Sequence, residues 1–354
     1  MKKRILLFVV FACFIVVSCD KKPVPEPDIP EVTVGAFVLN NGNFGSNDAS
    51  LTFYNPDTKT PTYGVFQSLN GKKLGDTAQD MFIYGSKIYI AVFNSGVIFV
   101  TDRSGKLIGE IKAEKRSPRY FTAYNGNLYV TYYEGYLGKI DTTSLSLMST
   151  VKVGDNPENV EVANGKLYVA NSGGMNYPNY GKTVSVVNPS TMSVIKTLDV
   201  VDNPTYLAAD SKGDVYLISI GNYNDVPSAL QKIDTQSDVV ATISNVQANW
   251  MSMGANDKLY IISSQYDANW NTVSEYYVYD AISESVIGKF ITDGTAVEKA
   301  YSISADPVSG NVYIGTSDYK SNGDMYVFSA AGVKIDKFDT GGLNPIGVYF
   351  VTNK

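Results

Sequence analysis

A turn followed by an apolar-Tyr-apolar strand recurs along almost the whole chain, and no other feature limits the possible folds so strongly. It reads SKIYIAV from Ser86, GNLYVTY from Gly126, GKLYVAN from Gly165, GDVYLIS from Gly213, DKLYIIS from Asp257 and GNVYIGT from Gly310. The repeated tyrosines Tyr89, Tyr129, Tyr168, Tyr216, Tyr260 and Tyr313 are spaced 40, 39, 48, 44 and 53 residues apart. A divergent seventh copy, GAFVLNN, starts at Gly35. Each copy leads into a second strand that alternates apolar with polar and ends at Asp or Asn, as in SLTFYNP from Ser50 or VSVVNPS from Val184. A third, outer strand follows, such as IGEIKA from Ile108, and then an inner strand often begun by Asn-Pro: Asn156-Pro157, Asn203-Pro204, Asn344-Pro345.

Four short strands at a period near forty, with no helical pattern between them, predict the blades of an all-β, seven-bladed β-propeller. Residues 344–352 have the inner-strand pattern with no blade after them, and the first copy has no inner strand before it. The C-terminal strand is therefore expected to complete the first blade and close the ring without a free edge. Such a ring is a set of small cores, so residues 32–354 can form one domain despite their length.

A residue that recurs in every blade packs sheets together; a binding site interrupts the repeat. Turns on one face are short and polar, as at Asn125, Asn164 and Arg103. Loops on the other face are long and uneven: 40–48, 171–182, 221–228, 264–274 and 317–324 within blades, and 67–76, 113–119, 245–250 and 292–301 between them. Both tryptophans, Trp250 and Trp270, lie there, with Phe44, Tyr177, Tyr223 and Tyr266. Aromatics beside Asn, Ser and Gly give contact area at low entropy cost together with adaptable hydrogen bonds. Counting back along each inner strand adds Asp80, Tyr120, Asn159, Tyr206 and Tyr301 at the channel mouth, with Arg119 alongside. These residues are the candidate ligand-binding set. Their variety suits one asymmetric ligand; no catalytic residues, metal ligands or resident cofactor are expected among them.

Composition narrows the chemistry. Histidine is absent, which excludes Ser-His-Asp and Cys-His nucleophiles and histidine-ligated metals. The carboxylates Asp76, Asp80 and Glu158 near the channel show no paired or metal-binding spacing, and the chain is read as a non-enzyme. The net charge of −6 argues against nucleic acid as a partner.

The first residues are an address. Lys2, Lys3 and Arg4 precede a short apolar run, and small residues then lead to Cys19. This pattern resembles a bacterial lipobox, which implies a signal peptide over 1–18 and a lipid on Cys19. The only other cysteine, Cys13, lies inside the removed segment, so no disulfide is expected. Residues 19–31 carry four prolines and read as a semi-rigid tether between membrane and body.

The stretch from Leu167 to Leu217 resembles the bacterial YVTN-type propeller repeat through LYVAN, VSVVNPSTMSVIKTL and DNPTYLA. The opening GAFVLNNGNFGSNDASLTFYNPDTKT, then LNGKKLGDTAQDM and IYIAVFNSGVIFV, resembles the BtuG-type lipoproteins of Bacteroidota and their "surface layer" propeller relatives. That resemblance implies a lipid-anchored propeller on the outer surface of the outer membrane. It implies capture of cobamides (cobalamin and related corrinoids) and their transfer to a TonB-dependent transporter of the BtuB type. The absence of histidine means that binding would rest on shape and hydrogen bonds, not on an imidazole to cobalt. Two alternatives stay open: a surface propeller for another ligand, such as a glycan, and a lactonase- or dehydrogenase-like propeller enzyme.

Overall fold

The computed structural model describes residues 30–113, 115–267 and 272–354, and the compact unit is Glu31–Lys354. The signal peptide, Cys19 and nearly all of the tether lie outside the described residues, as does Trp270. Seven antiparallel sheets of four strands each form a seven-bladed β-propeller. Strands run outward in chain order in every blade except the first, whose order is C-terminal strand, Thr33–Asn40, Ser50–Asn55, Thr60–Thr62. The inner strand there is Pro345–Thr352, paired with Thr33–Asn40 through Phe37–Tyr349 and Val38–Val348. The ring is thus closed by its two chain ends, as the unpartnered inner-strand pattern at 344–352 predicts.

The core is divided as a propeller requires. Seven apolar clusters each straddle one pair of neighbouring blades, from Phe37, Leu39 and Met81 between blades 1 and 2 to Val38, Tyr313 and Phe338 between blades 7 and 1. The six repeated tyrosines are buried. Two of them donate to a carbonyl in a turn of the next blade: Tyr129 to Pro189 at 3.3 Å and Tyr216 to Ala281 at 2.8 Å. The recurring residue therefore packs blade to blade, and in these two copies also bonds across.

Two local expectations fail. A short helix, Val65–Asn70, links blades 1 and 2 where no helical pattern is visible. Gly64 and Gly71 flank it with left-handed backbone, and its Val65 and Phe66 are buried. Six residues are too few to display a helical period. The expected loop 264–274 is mostly strand: Lys258–Tyr266 and Thr272–Asp280 pair up to Tyr266–Thr272. The β-branched Thr272 and Val273 and a Ser264–Ser274 hydroxyl contact of 2.7 Å extend the ladder through a stretch whose Asn and Ser content reads as loop.

Candidate functional site

The site is built at the start of the inner strands, on the long-loop face. Residues before those strands take left-handed backbone in five blades: Thr77, Asn156, Asn203, Lys299 and Asn344, with φ between 45° and 61°. Asn tolerates this region because its short polar side chain bonds locally. Its carbonyl then accepts from the following hairpin loop, as Asn203 does from Ile220 N–H at 2.9 Å. The Asn-Pro signature is therefore the corner that turns the chain into the channel.

A β-bulge follows the corner. Ladder shifts fall between Ala78 and Asp80, Pro118 and Phe121, Pro157 and Val160, Pro204 and Tyr206, and Ala300 and Ser302. The skipped residues are Gln79, Arg119 with Tyr120, Glu158 with Asn159, Thr205, and Tyr301. Bulges re-aim side chains out of the regular alternation. Most of the mouth residues named from the sequence are thus bulge residues or their immediate neighbours.

The mouth has a closed side and an open side. On the closed side, blades 2 to 4 contribute a buried network. Arg119 donates from Nε (2.9 Å) and Nη2 to Glu158 Oε2, and from Nη1 to Gln79 Oε1 at 2.7 Å. Gln79 donates to the Tyr120 hydroxyl at 2.9 Å. The guanidinium lies 4.8 Å from the Tyr133 ring centre and 5.1 Å from that of Phe93. Below it, Asp80 accepts from Phe121 N–H (2.9 Å) and Tyr349 hydroxyl (2.8 Å), joining blades 1, 2 and 3. Burial pushes the Asp80 carboxyl up to about 7, against the pull of those hydrogen bonds and of Arg119. Burial also raises Glu158, with Arg119 opposing it. For Arg119, burial lowers the pKa, but Glu158 together with Tyr120 and Tyr133 more than offsets that, and the net shift is upward.

On the open side, blades 4 to 7 surround a cavity of about 570 Å³. Aromatic walls come from Tyr180, Tyr206, Tyr223, Trp250, Tyr301 and Tyr319. Between them stand amides and hydroxyls of Asn203, Asn249, Gln265, Ser264, Thr205 and Ser317. Two lining residues are charged: Glu158, already paired with Arg119, and the exposed Lys299. Edge-to-face pairs link Tyr301 with Tyr319 at 5.7 Å and Tyr180 with Tyr223 at 5.9 Å. Burial pushes the Tyr206 hydroxyl up to about 12 and raises that of Tyr301 further. Both remain neutral donors at physiological pH. Among the described residues no group of His, Cys, Asp and Glu is arranged to hold a metal ion.

Of the twelve residues named from the sequence, Tyr206, Tyr223, Trp250 and Tyr301 line this cavity. Tyr120 stands behind Tyr206 with ring centres 6.5 Å apart, and Arg119 and Asp80 belong to the closed network. Tyr177 is 71% exposed on the rim, in edge contact with Tyr180. Phe44 is 72% exposed on the blade 1 loop and does not line the cavity, and neither does the half-buried Asn159. Tyr266 is placed as the last residue of its strand, and Trp270 lies outside the described residues. Asn203, Asn249 and Lys299 were not named. Their signal was available, since each directly precedes an inner strand and so stands at the mouth.

A family model described as "Domain of unknown function (DUF5074)" matches residues 34–350, and the chain belongs to that family. No curated protein matches it significantly in sequence. Solved structures match in fold. A Bacteroides fragilis protein provisionally named a 6-phosphogluconolactonase superposes with a TM-score of 0.63 at 13% identity, over 90% of this chain and 98% of that one. Hydrazine synthase from Kuenenia stuttgartiensis gives 0.60 at 15% identity, over 75% and 89%. The WD40 β-propeller domain of Doa1 gives 0.58 at 12% identity, over 80% and 86%. At these identities the likeness establishes the propeller and nothing about activity.

Proposed function

We propose that this member of the DUF5074 family is a ligand-capture propeller whose open half-mouth binds a cobamide, on the outer face of the outer membrane, and passes it to a TonB-dependent transporter of the BtuB type. A lipid on Cys19 would hold it there through the proline-rich tether. The observation that carries the reading is the cavity over blades 4 to 7, in which six aromatic rings alternate with amides and hydroxyls. A corrinoid is a broad apolar disc fringed with carboxamide arms. Rings pack on the disc, and Asn and Gln pair with the arms as both donor and acceptor. The cavity is open to solvent above, so parts of a large ligand can extend over the exposed Tyr177 and Tyr223.

Calorimetric titration of the purified protein with cyanocobalamin, an oligosaccharide panel and a lactone substrate tests this reading. Micromolar or tighter binding of cyanocobalamin supports it. Binding of a sugar instead, or turnover of the lactone, overturns it. For the anchor, Cys19→Ala should move the protein from the membrane to the soluble fraction or leave it unprocessed. A mutant that still fractionates with the outer membrane removes the lipid from the account.

A further inference from the structure

Glu158 is where the closed network meets the cavity. Its side chain is only 8% exposed, yet the residue lines the open space. A guanidinium facing a carboxylate usually gives one N–H to each oxygen. Here Arg119 directs both Nε and Nη2 at Oε2. Among the described residues no hydrogen bond reaches Oε1, and that atom is not among those sealed away from solvent. Arg119 cannot swing to cover it. Its third contact is Gln79, and its plane is held against the rings of Tyr133, Phe93 and Tyr120.

We propose that Glu158 Oε1 is the acceptor that recognises a primary carboxamide N–H of the ligand, so that the site selects an amide arm over the corresponding carboxylate; this rests on the cobamide reading above. The chemistry is one-sided. Asn203, Asn249 and Gln265 can each donate or accept, so they tolerate either arm. An ionised carboxylate only accepts. It welcomes an N–H and repels a second carboxylate. The ion pair as a whole is neutral, which favours a neutral donor over an ammonium group. Arg119 acts as a positioning residue: it fixes which oxygen is left over.

The test uses wild-type protein first. Cyanocobalamin is compared by calorimetry with its side-chain monocarboxylic acids, each carrying one amide converted to carboxylate. One acid should bind at least about tenfold more weakly than the parent, the scale of a lost hydrogen bond to a charged group. Glu158→Gln should then recover that acid selectively, because the new amide can donate to it, while the other acids keep their order. Equal binding of all the acids and the parent to wild-type protein overturns the assignment of Glu158 and leaves the cobamide reading intact. So does an unchanged selectivity profile in a folded Glu158→Gln protein. Failure of cyanocobalamin itself to bind overturns the reading and the assignment with it.

Discussion

The closed and open sides of the channel mouth are made from the same positions of one repeat, yet one is filled by a side-chain network and the other surrounds a cavity. On the closed side, Gln79, Asp80, Arg119 and Tyr120 bond to one another and to Glu158, Tyr349 and the backbone of Phe121. On the open side, Asn203, Asn249, Gln265 and Ser317 line a cavity, backed by aromatic walls. Loop length explains much of the difference. The hairpin loops of blades 2 and 3, residues 93–96 and 133–135, are short and place Phe93 and Tyr133 against Arg119. Those of blades 4, 5 and 7, residues 172–182, 220–228 and 317–323, are long enough to stand up as walls. One repeat can thus fill one side of the mouth and leave the other open.

The comparison yields measurements of decreasing size. The ring must be closed before it has two sides, so removing residues 344–354 should have the largest effect. It takes away the inner strand of blade 1, with Val348 and Val351, and uncovers Phe37, Val38 and Leu39, costing several kcal/mol from lost burial alone (roughly 25 cal/mol per Å² of apolar surface). Denaturant unfolding checks this, and an unchanged midpoint would refute the strand order. Arg119→Met on the closed side should come next, at about 3–5 kcal/mol, because it strands the buried Glu158 carboxylate. If that change is stability-neutral, the closed side is not a structural unit.

Trp250→Ala tests the open side. It should weaken ligand binding by at least about tenfold, the usual scale for an aromatic anchor. Some stability should go with it, since Trp250 also packs on the cluster between blades 6 and 7. Normal affinity in this variant would displace the site from the cavity.

A smaller effect concerns pH. Asp80 titrates at about 7 in the folded protein, above the ordinary 3.8, so between those values the folded chain holds a proton that the unfolded chain has lost. Its contribution to stability is full below about pH 4 and is lost as pH rises through about 7. Asp80→Asn should flatten that decline in thermal melts. Glu161, also pushed up to about 7 by burial, accounts for part of what remains. A variant with the wild-type slope would show that Asp80 is not the buried titrating group. Phe44→Ala should do least. The side chain is exposed and away from the cavity, so stability should move by less than about 0.5 kcal/mol and affinity not at all.

Much of this was legible in the chain. Spacing of Tyr89, Tyr129 and Tyr168 by one period predicted the blades, and the unpartnered strand at 344–352 predicted the closure. Counting back from each tyrosine, with allowance for the longer turns of two copies, reached Tyr206 and Tyr301, because the corner and bulge recur with the repeat. The same rule could not separate Tyr301, which lines the cavity, from Asp80, which is sealed in a network. Phe44 stands away from the cavity, and its sequence context does not say so: an aromatic in a loop carries no sign of whether a neighbouring loop turns toward it.

The sequence by itself therefore determined the blade number, the ring closure and the face that carries the variable loops. Each of these follows from local pattern repeated at a fixed period. Only the tertiary structure decided which half of that face is open. Gln79, Arg119 and Glu158 stand 40 and 39 residues apart and become partners when three blades are set side by side. Whether a polar side chain there joins a filled network or faces a cavity depends on lateral distances of a few ångströms, and the repeat is the same in either case.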